Sequence, residues 1–224
     1  MGRASLENND PSTALDAFNV VLADQPDHFR GRYYRILTLH RLNRNSQALH
    51  DSDGIIVDFP DPKWGYIQRG KSLMVLARRA EAFENYVAAE ETLGPDNAVL
   101  YWHADALAND GQFAAALEVI DRALTLDGSG GDDRLLKSCI ALEMCDNPLA
   151  RWAAEESLRV GEDDPCAHYY VAISMIHSVE TKDGLCLFDQ VMKGGLRDYR
   201  VGAFAKEPIS AGRSVEAFQL RQKY

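Results

Sequence analysis

Small and apolar residues recur along this chain at a spacing of 34 residues. The clearest copy is the stretch from Gly111 to Gly128, in which Ala116, Ile120 and Ala123 follow the i, i+4, i+7 spacing of one helix face. The first of these positions is occupied in successive copies by Ala14, Ala48, Ala82, Ala116, Ala150 and Gly184. Self-similarity at a period of this length indicates stacked structural repeats.

Three further columns keep the same period. Four residues later the chain has Phe18, Ser52, Tyr86, Ile120, Ala154 and Phe188, and seven residues later it has Val21, Ile55, Ala89, Ala123, Ser157 and Val191. Twelve residues before the first column stand the mostly small residues Gly2, Ile36, Gly70, Ala104, Ser138 and Ala172. The columns predict an all-α array with two helices per repeat, in which small residues let the helices approach closely.

Polar residues beside prolines predict where several helices begin. Asp10 and Asp164 each precede a proline, which is typical of an N-cap followed by the first helical residue. We expect Asn45, the Asp61-Pro62 pair and Asn147 to begin helices in the same way. The glycine-rich connector after Gly128 keeps the period, so it is predicted to be a turn within one array.

These columns resemble the tetratricopeptide repeat, whose helix-turn-helix unit has this period. Gly111, Phe113, Ala116, Ile120, Ala123 and Leu126 carry the resemblance, which extends over residues 1–193 as about five and a half repeats. It implies an α-solenoid of antiparallel helix pairs in a right-handed superhelix. The first helix of each pair would line a concave groove that usually holds a peptide.

The family pattern, carried over repeat by repeat, assigns residues to that groove. They are Tyr33, Leu37, Ile67, Lys71, Tyr101, Asp105, Leu135, Cys139, Tyr169 and Ile173, with Trp64 one turn earlier in its helix. An apolar ladder with charged rims suits an extended or helical segment bound through hydrophobic anchors. The alternative is that part of this ladder packs between the repeats.

Four basic residues occupy a position where the family normally has a buried leucine: Arg35, Arg69, His103 and Lys137. One interpretation is a cationic stripe that binds carboxylates or phosphates. The favoured one is that their stems cover the seam between repeats while their charges meet acidic neighbours such as Asp51, Asp53 and Glu84. The lysine, asparagine and arginine clamp with which some relatives grip acidic chaperone tails is absent.

The ends of the chain add separate expectations. Residues 194–224 lack the column pattern and resemble a C-terminal capping segment with a short helix, although a tethered ligand folding back into the groove is the alternative. Trp152 marks a second, convex contact site or is covered by this tail. The first repeat is incomplete, so we expect a longer natural chain or a partner, including a second copy, at the open N-terminal edge.

Composition limits the function classes. The formal net charge of −10 disfavours nucleic acid, and no apolar run is long enough for membrane insertion. Four cysteines without paired spacing predict thiols in a cytoplasmic protein, and Cys166, His168 and His177 are a poor metal set. No catalytic motif is present, so we expect no enzyme activity, cofactor or metal.

Two functions remain. The first is a protein-protein interaction adaptor or assembly scaffold that binds a protein or peptide partner in its groove. The second is a regulatory or substrate-recruiting repeat arm of a larger enzyme.

Overall fold

The computed structural model describes residues 2–128, 130–161, 164–178 and 180–193, and these ranges form helices without a strand. The helices are α1 (Gly2–Glu7), α2 (Pro11–Asp24), α3 (Phe29–Arg41), α4 (Asn45–Asp58), α5 (Lys63–Val75), α6 (Arg79–Leu93), α7 (Asn97–Asn109), α8 (Phe113–Leu126), α9 (Gly131–Glu143), α10 (Asn147–Val160), α11 (Pro165–Ile176) and α12 (Thr181–Lys193). The all-α prediction is confirmed.

The chain divides into two compact units, Met1–Leu126 and Asp127–Tyr224. In the first, here called unit 1, consecutive helices pack against each other, and α3 and α7 each also contact α5. Helices α3, α5 and α7 therefore form one layer, here called the inner layer, while α2, α4, α6 and α8 form the outer layer. In unit 2, α9 likewise contacts both α10 and α11. The predicted capping segment, residues 194–224, lies outside the described residues.

The alanine column forms the buried seam of the helix pairs. Its five alanines are completely buried, and Gly184 is buried in the last copy. The small column is buried as well, and Gly70 shows why size matters there. A Cβ at Gly70 would lie only 2.4 Å from the Tyr86 ring carbon Cζ, so the glycine lets the tyrosine fill the space over α5. In the other two columns Val21 is exposed, and Phe188 and Val191 of α12 are only half-buried.

The turn between the two helices of a repeat also has the 34-residue period. A residue with positive φ closes it in each described copy, namely Asn9, Asn43, Ala77, Gly111 and Cys145. In the copy at Ala77, the backbone N–H of Arg78 donates to the carbonyl of Leu73 at 2.9 Å. This is the hydrogen bond of a Schellman cap, which needs a left-handed residue before the donor. Gly111 and the two asparagines are residue types that favour this conformation, whereas Ala77 and Cys145 give no sign of it in the sequence.

Two predicted N-caps prove to be the first residue inside the helix. Asp10 and Asp164 cap α2 and α11 as predicted, accepting hydrogen bonds from the backbone N–H groups of Thr13 and Cys166. Asn45 and Asn147 lie inside their helices, because the chain enters α4 through Arg44 and α10 through Asp146. Pro62 occupies the N-cap position of α5, where no side chain caps the helix.

Candidate partner-binding groove

Unit 1 contains a cavity of about 880 Å³, bounded mainly by α1 and the inner layer. Here called the unit 1 groove, it is lined by Arg3, Leu6, Glu7, Tyr34, Leu37, His40, Arg41, Gln68, Lys71, Met74, Val75, Arg79, Tyr86, Asp105, Ala106 and Asn109. The lining combines aliphatic surface with a few charged groups. Apolar surface with a small number of polar groups is typical of ligand-binding pockets.

Three predicted groove residues come together in this cavity. Leu37, Lys71 and Asp105 are separated by the repeat period, and each lies on a different helix of the inner layer. The stacking of α3, α5 and α7 brings the three side chains to one surface because equivalent positions of stacked repeats face the same way. These three residues therefore line one cavity, and their contact with a partner stays a prediction.

The second predicted row is displaced by one residue. Tyr34 and Gln68 line the unit 1 groove, whereas Ile67 is completely buried in the core with Tyr86 and Val99. The prediction that Ile67 lines an exposed surface is therefore wrong. The basic residues at the neighbouring position obscured the register of the first helices, and Gln68, a polar residue between Tyr34 and Trp102 in its column, was the signal for the true face.

The predicted aromatic residues of unit 1 pack beside that row. Tyr33 and Trp64 are half-buried, and their ring centroids lie 5.7 Å apart in an edge-to-face arrangement. Tyr101 is half-buried against Trp102 at 5.1 Å. Neither Tyr33, Trp64 nor Tyr101 is among the residues that line the unit 1 groove. Because these three side chains are only half-buried, their contact with a bound segment stays a prediction.

In unit 2 the side chains at the predicted groove positions lie in the hydrophobic core. Leu135, Cys139, Tyr169 and Ile173 are all buried in one hydrophobic cluster. Tyr169 packs against Phe188 of α12, with ring centroids 5.7 Å apart. The prediction that these residues line an exposed groove is wrong, because apolar side chains at this position are packed between α9, α11 and α12.

Lys71 and Asp105 form the electrostatic centre of the unit 1 groove. Burial lowers the pKa of the Lys71 ammonium to about 8, with the attraction of Asp105 acting against the shift. Burial raises the pKa of the Asp105 carboxyl to about 6, opposed by Lys71 and by a hydrogen bond from Asn109. For each group, the effect of desolvation on the pKa is larger than the opposite effect of the partner's charge. The Lys71 ammonium also lies over the ring of Trp102, with Nζ 3.2 Å from the centroid.

Most of the remaining charges in the groove lining have partners within the fold. Arg3 pairs with Glu7 at 3.0 Å, and Arg79 pairs with Asp110 at 2.5 Å. Arg41 donates to the carbonyl oxygen of Leu6 at 2.7 Å, which ties α3 to α1. The centre of the unit 1 groove therefore carries one positive and one negative group that nearly balance.

The basic column is bound to acidic neighbours within the fold. Arg35 donates two hydrogen bonds to the Asp51 carboxylate, at 2.7 and 2.9 Å. Arg69 pairs with Asp53 at 2.8 Å, while the ring nitrogen Nδ1 of His103 lies 3.4 Å from Glu90 rather than Glu84. These contacts confirm the expectation of seam ion pairs at Arg35 and Arg69.

The fourth member of that column meets the predicted convex residue instead. The Lys137 ammonium lies 5.3 Å from the centroid of the Trp152 ring, and the Trp152 residue is half exposed. A cation over an indole face is favourable, so this contact accounts for part of the ring surface. The role of Trp152 as a second contact site stays a prediction, and the proposed tail cover lies outside the described residues.

Two kinds of feature are absent from the described residues. No helix there is long and apolar enough to cross a bilayer. No group of three or more His, Cys, Asp and Glu side chains in that part of the chain is arranged to hold a metal ion. All four cysteines lie among the described residues, and none of them is in a disulfide.

Helix pairs repeated at a fixed period, with an inner layer that lines a groove, define the class of α-solenoid repeat proteins. A family model for the tetratricopeptide repeat matches residues 1–52 and 68–131, which together make up more than half of the chain. The chain belongs to the tetratricopeptide repeat family. A search of curated proteins gives no match.

Solved structures show the same fold at low sequence identity. A tetratricopeptide repeat protein from Parabacteroides merdae superposes with a TM-score of 0.71 at 13% identity, covering 92% of this chain and 80% of that chain. Yeast Tom70 gives 0.74 at 15% identity over 95% of this chain and 43% of that chain. YrrB, described as a protein with an unusual peptide-binding site, gives 0.55 at 16% identity over 86% of this chain and 99% of that chain.

Proposed function

We propose that this protein is a non-catalytic adaptor or assembly scaffold that binds a polypeptide segment of a partner in the unit 1 groove. Proteins of this family generally mediate protein-protein interactions. The observation that carries the proposal is the convergence of Leu37, Lys71 and Asp105, one from each inner helix, on one cavity of about 880 Å³. That volume matches a binding site for a few side chains.

The chemistry of the lining defines the kind of segment. Leu6, Leu37, Met74 and Val75 supply aliphatic surface, and the methionine side chain adapts its shape to a bound group. Val75 is exposed, so a partner side chain that covers it removes apolar surface from water. We infer a segment with at least one apolar anchor, held at the centre by polar contacts.

The proposed location is the cytoplasm. Cys145 and Cys186 are exposed thiols, and disulfides would be the usual state of such groups in an oxidising compartment. Association with a second copy, and membership of a larger enzyme, stay predictions.

The experiment is photocrosslinking of peptides selected from a random display library on the full chain. A selected peptide is synthesised with a benzophenone side chain, and mass spectrometry then locates the adducts. We expect adducts within α1, α3, α5 and α7. Adducts confined to the outer layer or to unit 2 would overturn the groove assignment. The library is first passed over heat-denatured protein, which removes the peptides that bind exposed apolar segments of an unfolded chain.

A further inference from the structure

The lining of the unit 1 groove has the opposite charge from the chain as a whole. The chain carries 34 acidic against 24 basic side chains, a formal net charge of −10. The lining has four cationic side chains and two anionic ones, namely Arg3, Arg41, Lys71 and Arg79 against Glu7 and Asp105. Burial and the nearby Lys71 lower the pKa of His40, so this side chain is neutral near neutral pH. The groove is therefore a cationic surface on an acidic protein, and such a surface attracts anions.

Arg41 is the cation of this lining that lacks an anionic neighbour within the described part of the chain. The other three have one: Arg3 pairs with Glu7 at 3.0 Å, Arg79 pairs with Asp110 at 2.5 Å, and Asp105 attracts Lys71. The Arg41 guanidinium instead donates to an uncharged group, the carbonyl oxygen of Leu6, at 2.7 Å. Its positive charge is therefore left for a group from outside the chain to balance.

Arg41 is also reachable and lies beside apolar surface. The residue is exposed in the last turn of α3, and Leu37 precedes it by four residues. Residues at this spacing lie on one helix face, with Cβ atoms about 5–6 Å apart, and both side chains line the cavity. A guanidinium has five N–H donors in a planar fork, and the Leu6 carbonyl accepts from one of them. The remaining donors can form paired hydrogen bonds with a carboxylate.

A carboxylate suits this position better than other side chains do. A lysine or arginine of the bound segment would be repelled by Arg41, and a neutral amide would leave the positive charge unbalanced. We propose that Arg41 binds an aspartate or glutamate side chain of the bound segment, next to the apolar anchor that covers Leu37. This assignment rests on the proposed function, because a partner segment carries both groups. The anion is a side chain, since a segment inside a longer chain has no free terminal carboxylate.

The test uses a random heptapeptide display library selected on the full-length protein. Peptides whose binding Leu37→Asp weakens at least about tenfold are the groove binders, and we expect them to share Asp or Glu close to an apolar residue. Synthetic groove binders are made with acetylated and amidated ends, so that the side chain is the carboxylate that is measured. Exchange of Asp for Asn, or of Glu for Gln, in such a peptide should raise its Kd about fivefold on wild type and less than about twofold on Arg41→Gln.

Matched variants separate the charge of Arg41 from its contact with α1. Arg41→Lys keeps the charge and should retain most of the preference for the acidic peptide. Arg30→Gln makes the same exchange at an exposed residue of α3 that does not line the cavity, and it should leave the preference unchanged. Helical circular dichroism of each variant confirms that it is folded.

The outcomes distinguish the acidic subsite from the proposed function. Groove binders without a shared acidic residue, or a preference that survives in Arg41→Gln, would overturn the subsite alone. Binding that disappears when the terminal carboxylate is amidated would overturn it too, because the anion would then be a chain end. A selection in which no peptide depends on Leu37 would overturn the proposed function as well.

Discussion

The ammonium of Lys71 lies over the ring of Trp102, with Nζ 3.2 Å from the ring centroid. The lysine is on α5 and the tryptophan on α7, so the contact links two repeats across the inner layer. Burial lowers the pKa of this ammonium to about 8, yet the indole face and Asp105 both favour its charged form. The lysine side chain is therefore held against α7 instead of extending into solvent.

The acid limb of the stability curve should report the burial of Asp105. The pKa of this carboxyl is about 6 in the folded chain, whereas an unfolded chain ionises aspartate near about 4. Between these values the folded protein holds a proton that the unfolded chain has released, so wild type loses stability as the pH rises. We expect wild type to lose about 1–3 kcal/mol relative to Asp105→Asn between pH 4 and pH 6.5.

Urea denaturation at several pH values measures this difference. Asp10→Asn is the control of opposite sign, because hydrogen bonds from Thr13 lower the pKa of Asp10, and asparagine is an equally good N-cap. Wild type should gain stability relative to Asp10→Asn as the pH rises towards about 4, below the region in which Asp105 acts, and the difference should then stay constant up to pH 6.5. A pH-independent difference between wild type and Asp105→Asn would show that Asp105 is not desolvated.

The turn at Ala77 should be improved by glycine. Ala77 has a φ of 59°, which disfavours residues with a Cβ, and its side chain is exposed, so nothing is lost from the core. We expect Ala77→Gly to raise the free energy of unfolding by about 0.5–1 kcal/mol. Ala114→Gly, an exposed site in α8, should instead lower it by about 1 kcal/mol. Equal losses at the two sites would exclude a left-handed conformation at Ala77.

The ion pair between Arg35 and Asp51 should matter for stability. Asp51 is only 10% exposed in its side chain, and removal of Arg35 would leave it without two hydrogen bonds. Arg35→Met should cost about 1–2 kcal/mol in thermal or chemical unfolding. Arg3→Met breaks a solvent-exposed pair and should leave stability nearly unchanged. Indistinguishable losses would count against a structural role for this column.

The repeat period made the core predictable from the sequence. Ala116 and its counterparts lie where the two helices of a repeat pack against each other, so their burial follows directly from the repeat spacing. The left-handed turn was harder to predict, because Ala77 and Cys145 adopt at some cost a conformation that only Gly111 adopts freely. Hydrogen bonds of the Schellman cap and packing of the flanking helices impose it.

The groove was only partly predictable for a different reason. A shift of one residue around a helix turns a side chain by about 100°. That shift is enough to move the predicted groove position from Gln68, which lines the cavity, to Ile67, which lies in the core. The polar Gln68 between Tyr34 and Trp102 in its column was the signal for the face that lines the cavity, but the basic residues at the next position obscured it. Leu37, Lys71 and Asp105 were found because their row falls well within the inner face.

The most direct measurement of the proposed function is the affinity of a selected peptide for two matched aspartate variants. Leu37→Asp places a charge in the unit 1 groove, whereas Val57→Asp places the same charge at a side chain of α4 that is 82% exposed. Fluorescence anisotropy should show a Kd at least about tenfold higher for Leu37→Asp, a loss of about 1.4 kcal/mol, and an unchanged Kd for Val57→Asp. Equal affinities of wild type and Leu37→Asp, with both proteins folded, would contradict binding in the groove.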